Sequence, residues 1–118
     1  MIFISKNEKG EPKIDKILAM KPDDTMVTSR IQPVPVGSIR AVQPGRGKFS
    51  IGKIQVISCE KRTEHYKRTC MGRGVASSWG LEEARLEGFY TFDGLLLALT
   101  EYGLEWSDLY RIEFKKVG

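Results

Sequence analysis

Two residues that could act together, Thr28 and Arg30, stand two positions apart in the segment Thr25–Arg30. The segment is rich in β-branched residues, and prolines follow it at positions 33 and 35, a pattern that predicts a strand ending at this point. Alternate side chains of a strand share a face, so Met26, Thr28 and Arg30 are expected to point the same way. A hydroxyl beside a guanidinium favours either a ligand site or a solvated strand edge.

The segments around this strand must hold it in place. Ile14, Ile17 and Leu18 recur at helical spacing, which predicts a short amphipathic helix before Pro22. Further strands are predicted at 38–42, 49–59 and 109–114, and helices at 81–88 and 92–102. The remaining local signals are a bulge or bend in the longest strand at Gly52, helix N-caps at Ser78 and Thr91, and helix ends at Gly88 and Gly103.

Length and element order together predict the fold class. The chain has 118 residues, of which 41% are hydrophobic, enough for one domain with its own core. It contains no internal repeat and no low-complexity linker. The sequence therefore predicts a single α+β domain over residues 1–118, with a small, mostly antiparallel β-barrel flanked by short helices.

Several classes of protein are disfavoured by composition. Two cysteines and one histidine argue against a disulfide scaffold and a zinc site, so no metal is expected. The glycine-rich turn at 43–48 lacks a nucleotide-binding pattern, and no cofactor is expected. No apolar run approaches the roughly 20 residues that cross a bilayer, and residues 1–6 do not resemble a signal peptide. We expect a cytoplasmic protein without membrane association.

Charge is distributed unevenly along the chain, although the net charge is only +4. Residues 43–73 contain eight Lys or Arg and two Glu, a balance of +6. Residues 81–108 contain seven acidic residues and one Arg, a balance of −6. This polarity suits a protein that presents one basic face to a polyanion, although ordinary surface solvation produces similar patterns.

Most of the candidates for nucleic-acid binding lie in the basic segment 43–73. Residues 60–78 are predicted to form a long connection, which is either functional or a mobile solvated loop. Tyr66 and Trp79 are the candidate stacking faces, although Trp79 beside Gly80 also fits a lid on the core. Arg30 would hold a phosphate or the edge of a base through its planar fork. Cations that would follow an RNA backbone are Arg46, Lys48, Lys53, Arg68 and Arg73.

The order of these pieces resembles the ASCH domain of the PUA-like superfamily, and the resemblance covers nearly the whole chain. The segments that carry it are Ile17-Leu18-Ala19, Thr25–Arg30, Val36-Gly37-Ser38-Ile39, Glu87-Gly88-Phe89 and the stretch 110–114. It implies a small β-barrel flanked by helices, with a cleft between them. Family members are inferred to bind RNA or nucleosides, and some small bacterial ones resemble acetylcytidine amidohydrolases.

The family signature places Gly, Lys, an acid or Thr, and Arg at fixed spacing along the first strand. Arg30 matches its Arg, and Thr28 matches the Thr of the amidohydrolase-like members. Thr25 occupies the Lys position and Met20 the Gly position, so Lys21 is the nearest lysine. Glu87 matches an acid of the amidohydrolase-like members. For an enzyme, the resemblance implies Thr28 as nucleophile, Lys21 as its base and Glu87 as the group that passes a proton to the leaving amine.

Three functions follow in order of expectation. The first is an RNA- or nucleoside-binding domain that uses the cleft and the basic loop, the predicted connection at 60–78. The second is a small amidohydrolase acting on acetylated cytidine. The third is a protein-interaction domain that uses the acidic helical side, for which the sequence contains no specific motif.

Overall fold

The computed structural model describes residues 1–71 and 76–117 of the chain. The helices and strands, in chain order, are α1 (Lys13–Leu18), β1 (Thr25–Arg30), β2 (Ile39–Val42), β3 (Gly52–Lys61), α2 (Arg62–Tyr66), α3 (Ala76–Leu86), α4 (Phe92–Glu101) and β4 (Tyr110–Val117). A π-helical turn (Lys67–Met71) follows α2, and a 3-10 turn (Trp106–Asp108) precedes β4.

The four strands form one open antiparallel sheet in the order β1-β4-β3-β2, which confirms the α+β class and the antiparallel pairing. Buried Ile112 and Phe114 lie on the central strand β4, which pairs with β1 on one side and β3 on the other. The sheet contains a bulge at Ile57, where the register shifts between Val56 and Ser58. Gly52 does not mark it, because that residue begins β3 opposite Val42.

The expectation of a long connection at 60–78 is wrong for the described part of that segment. β3 continues to Lys61, α2 and the π-helical turn follow, and α3 already begins at Ala76. Ser78 therefore lies inside α3 rather than at its N-cap. The helical pattern is concealed in the sequence because α2 turns polar side chains, Arg62 and His65, toward the interior.

Two apolar clusters hold the elements together. The first joins the N-terminal segment and α1 to the sheet, and consists of Phe3, Ile17, Met20, Met26, Val42, Ile54 and Phe114. The second joins α3 and α4, and consists of Ala84, Phe89, Leu95, Leu99 and Leu109. Burial of such side chains is the main favourable contribution to folding.

Both ends of α4 are capped as the sequence predicts. The Thr91 hydroxyl accepts a hydrogen bond from the Gly94 N–H at 3.0 Å, as an N-cap does. Gly103, with φ of 71°, ends the helix in a conformation that disfavours side chains. These two caps set the position of Leu95 and Leu99, which line the pocket described below.

The N-terminal segment connects the two edges of the sheet. The Phe3 N–H donates to the Gln43 carbonyl, directly after β2, at 2.9 Å. The Arg30 guanidinium, at the end of β1, donates to the Ile2 carbonyl at 2.6 Å. The Lys13 N–H, where α1 begins, donates to the Ser5 carbonyl at 3.0 Å. The segment therefore passes from the β2 edge toward the β1 edge.

Candidate functional site

A cavity of about 400 Å³ lies along β1, where the two apolar clusters meet. Phe3 of the first cluster and Phe89, Leu95 and Leu99 of the second contribute to its walls. Among the residues with polar side chains that line it as well are Lys13, Thr28, Ser29, Arg30 and Glu87. We call this cavity the site pocket.

Lys13, the first residue of α1, has a buried ammonium group. Only 5% of the residue is exposed, and its Nζ donates a hydrogen bond to the Val27 carbonyl. Burial lowers the pKa of Lys13 from 10.5 to about 8, although the Glu87 carboxylate acts in the opposite direction. A substantial share of the side chain is therefore a neutral amine, and thus a base, near pH 8.

Glu87, directly after α3, uses its two carboxylate oxygens differently. Its Oε2 accepts hydrogen bonds from the Ser29 hydroxyl, at 2.9 Å, and from the guanidinium of Arg62. Its Oε1 lies 3.8 Å from the Nζ of Lys13. One oxygen is thus fixed by the fold, while the other faces the lysine in the pocket.

A buried ion network holds Glu87 in this position. Arg62 is fully buried, and its guanidinium donates to both Glu83 and Glu87. Arg111 also donates to Glu83, at 2.7 Å from its Nε. Burial by itself would raise the pKa of Glu83, but hydrogen bonds and charge from Arg111 lower it below its usual value. His65 lies 3.8 Å from Glu83, and burial lowers its pKa.

Cations outnumber carboxylates around the site pocket. Lys13, Arg30, Arg62 and Arg111 face Glu83 and Glu87, and the half-buried Glu113 lies 3.4 Å from Arg111. As long as Lys13 is protonated, this region therefore has one positive charge in excess. Such a region favours ligands with carbonyl oxygens or negative charge.

Thr28 is buried in β1 opposite Ile112 and lines the site pocket. Among residues 1–71 and 76–117, no group forms a hydrogen bond with its hydroxyl. Its neighbour Ser29 differs, because that hydroxyl bridges Arg62 and Glu87. The Thr28 hydroxyl is thus free to bond to a ligand.

Arg30 lines the same pocket from the end of β1. Its guanidinium lies 4.9 Å from the ring centre of Phe3, a cation–π arrangement. Burial lowers its pKa, partly offset by Glu87. Its Nε is buried and has no hydrogen-bond partner within the described parts of the chain. Arg30, Thr28 and Glu87, all three singled out from the sequence, therefore meet in one pocket.

Lys21 lies elsewhere. It is exposed in the turn before β1, where its backbone N–H donates to the Asp24 carboxylate at 3.0 Å. It does not belong to the lining of the site pocket, and the lysine that does is Lys13. The sequence contained one signal for Lys13, its position four residues before the buried Ile17 on the same face of α1.

The cations proposed for a nucleic-acid backbone are spread over the surface. Arg46, Lys48 and Lys53 are exposed in and after the loop between β2 and β3. Arg68 is exposed in the π-helical turn and paired with Glu60. Arg73 lies outside the described residues.

The two candidate stacking residues pack against each other. Trp79 is only 8% exposed and contacts Tyr66 edge-on, with 5.2 Å between ring centres. Phe92 and Trp106 complete this aromatic cluster, which lines a second, almost wholly apolar cavity of about 420 Å³. Trp79 thus serves as a core residue, the alternative that its position beside Gly80 left open.

Sequence reasoning missed the ion network. Arg62 resembles one more cation of a basic loop, and Glu83 resembles one of two acids in the first half of a helix. Only tertiary packing shows that Arg62 and Glu83 are buried partners. The sequence does not distinguish Glu83 from its neighbour Glu82, which is exposed.

Residues 1–71 and 76–117 contain no group of three or more His, Cys, Asp or Glu that could hold a metal ion. In the same part of the chain, no helix combines the length and the apolar character that crossing a membrane requires.

Comparisons of the chain with protein-family models, with curated proteins and with solved structures found no match.

Proposed function

We propose that the protein binds a nucleoside, a planar base carried on a sugar, in the site pocket. The observation that supports this most is the convergence of Arg30, Thr28, Lys13 and Glu87 on one cavity with apolar walls. Ligand pockets typically measure about 300–1,000 Å³ and combine apolar walls with a few converging polar groups. The cavity of about 400 Å³ is near the small end of that range.

The polar groups suit the edge of a pyrimidine-type base. Arg30 and Lys13 donate to a ring carbonyl, and the surplus of positive charge favours that oxygen. Thr28 donates or accepts through a hydroxyl that has no hydrogen-bond partner among the described residues, and Glu87 Oε1 accepts from an exocyclic amine. Phe3 and Phe89 supply apolar surface for the faces of the ring.

The proposal includes kinship with the ASCH domain and its small PUA-like barrel. It is supported by the path of the N-terminal segment, which hydrogen-bonds beside β2 through Phe3 and is contacted from β1 by Arg30. A segment that bridges the two sheet edges turns an open sheet toward a barrel.

Titration calorimetry with cytidine, uridine and N4-acetylcytidine tests nucleoside binding. Arg30→Gln should weaken binding at least tenfold, because a donor to the base is lost in a site with little water. Arg46→Gln removes the same charge from an exposed loop and serves as the matched control. Binding that is equally strong in both variants, or absent from the unmodified protein, would refute the proposal.

A second function, hydrolysis of an acetylated base amine, is favoured by one observation. The pocket contains a lysine whose pKa is lowered to about 8, with the Glu87 carboxylate 3.8 Å away. Thr28, whose hydroxyl forms no hydrogen bond within the described residues, lines the same cavity. In this version Lys13 takes the role that the family resemblance implied for Lys21. A neutral amine in a pocket with little water is a suitable base for a hydroxyl nucleophile.

The reaction would proceed in two halves. The Thr28 oxygen attacks the acetyl carbonyl carbon while neutral Lys13 accepts the hydroxyl proton. The tetrahedral adduct then breaks its C–N bond, and the proton passes from Lys13, through Glu87, to the departing amine. Water hydrolyses the acetyl ester on Thr28, which releases acetate and restores the hydroxyl.

Chromatography of N4-acetylcytidine incubated with the protein separates the two functions. Lys13→Met and Thr28→Val should each abolish cytidine release, since residues that act as one unit lose nearly everything when one is removed. Lys21→Met, on the exposed turn, should turn over normally. Turnover that survives Lys13→Met would eliminate this lysine as the base, and nucleoside binding without turnover would leave only the binding function.

A further inference from the structure

The loop between β2 and β3 carries a surface unlike the rest of the molecule. Residues 31–59 contain four cations and no Asp or Glu. The cations are Arg40, Arg46, Lys48 and Lys53, and all four are exposed. Within the described part of the chain, none of them forms an ion pair.

Phe49 directly follows Lys48 in the chain and lies between Arg46 and Lys53 in sequence. It is 94% exposed, and Ile51, two residues further along the chain, is also exposed. An aromatic ring in water is unfavourable unless a partner covers it. A solvent-facing ring between cations is the arrangement on which single-stranded nucleic acids stack their bases.

The basic surface continues across the sheet. Ile39, Gln55 and Lys115 lie opposite one another on adjacent strands, and so share a face. Lys53 shares that face two residues before Gln55, which places it diagonally from Lys115, about 7–8 Å away. The three adjacent strands are about 4.8 Å apart, so this surface is roughly 10 Å wide across the strands.

The cations of the neighbouring segment are arranged differently. Lys67 lies 3.9 Å from Glu64, and Arg68 pairs with Glu60. Their charge is already compensated locally, whereas the charge of the β2–β3 loop is not. A polyanion gains more by binding the uncompensated cations, because they neutralise phosphates without first breaking an ion pair.

From this contrast we propose that the β2–β3 loop and the adjoining sheet face bind single-stranded nucleic acid, with Phe49 stacking on a base. We call this surface the strand-binding face. It goes beyond the proposed nucleoside site, because Phe49 and all of its cations lie outside the lining of the site pocket. The exposed acids of the segment 81–108, which are Glu82, Asp93, Glu101, Glu105 and Asp108, repel the same polyanion.

Fluorescence anisotropy with short labelled oligouridylate RNA and oligothymidylate DNA tests this proposal. Phe49→Ala should weaken binding of both probes about tenfold, within the range measured for a single stacked base. The double variant Arg46→Gln, Lys48→Gln should weaken binding and reduce the dependence of log affinity on log salt by about 1.4, two phosphates' worth for a single strand. A preference for the RNA probe would indicate contacts with the 2′-hydroxyl.

The control is the double variant Lys67→Gln, Arg68→Gln, which removes the same charge from the compensated cations. It should bind both probes nearly as well as the unmodified protein. Equal losses in the two double variants, or no loss in Phe49→Ala, would overturn the proposal. The proposal would also be overturned if the protein bound vesicles rich in phosphatidylserine through Phe49 more tightly than it bound the oligonucleotides. Nucleoside binding should be unchanged by Phe49→Ala, so the two proposals succeed or fail separately.

Discussion

The ammonium of Lys13 and the carboxylate of Glu87 lie 3.8 Å apart, and only 5% of each side chain is exposed. A carboxylate this close normally keeps a lysine charged. Here burial of Lys13 outweighs that attraction, and the nearby charges of Arg30 and Arg62 add to the effect. The pair is therefore an unusual one, in which the acid is held by other partners and the lysine readily gives up its proton.

The stability of the protein should depend on pH through Lys13. Its pKa is about 8 in the folded protein and 10.5 as the ordinary value, so between these the unfolded chain binds more protons. Stability therefore rises with pH across that window, by on the order of 3 kcal/mol relative to a variant without the amine. Urea unfolding of the unmodified protein and Lys13→Met at several pH values measures the difference. Lys21→Met should instead run parallel to the unmodified protein, and parallel curves for Lys13→Met would contradict the lowered pKa.

Glu83 should be far more important for stability than its neighbour Glu82. Glu83→Gln removes the charge that Arg62 and Arg111 share in the interior. Breaking a buried ion pair from one side typically costs about 3–5 kcal/mol, because the remaining charge is left uncompensated. Glu82→Gln, on the exposed side of the same helix, should change the unfolding free energy by less than about 0.5 kcal/mol. Similar values for the two variants in chemical denaturation would mean that the network contributes little.

The β1 strand and the α+β class follow from local patterns in the sequence. Thr25–Arg30 combines β-branched residues with a following proline pair, and both signals act within a few residues of the chain. The Thr91 cap and the Gly103 helix end are equally local. These features were correctly predicted because backbone preference and tertiary structure agree there.

The buried charged residues in and behind the site pocket could not be predicted in the same way. A lysine at the first position of a short helix is usually solvated, so Lys13 gave little reason to expect a buried amine. Arg62 stands among several surface cations in the sequence, yet it is buried because Glu83 and Glu87 approach it from α3 and the residue after it. Such pairings depend on contacts between residues more than 20 positions apart, which no local pattern records.

If the protein hydrolyses acetylated cytidine, turnover should rise with pH as Lys13 loses its proton. With a pKa of about 8, the neutral fraction grows roughly fivefold between about pH 7 and 8 and then levels off. Initial rates of cytidine release in overlapping buffers measure this profile. A rate that is constant or falls between about pH 6 and 9 would exclude Lys13 as the base, even if its substitution reduces activity.

Loss of the hydroxyl should have different effects at Thr28 and Ser29, which are adjacent on β1: loss of ligand binding or turnover at Thr28, and loss of stability at Ser29. Ser29→Ala leaves Glu87 and Arg62 without a shared partner and should cost about 1–3 kcal/mol of stability. Thr28→Val removes a hydroxyl that bonds to no described residue, so stability should change by less than about 1 kcal/mol while nucleoside affinity or turnover falls. Thermal unfolding combined with ligand titration gives both quantities on the same samples. If Thr28→Val destabilises the fold as much as Ser29→Ala, its hydroxyl serves the structure, and its assignment to ligand or substrate is wrong.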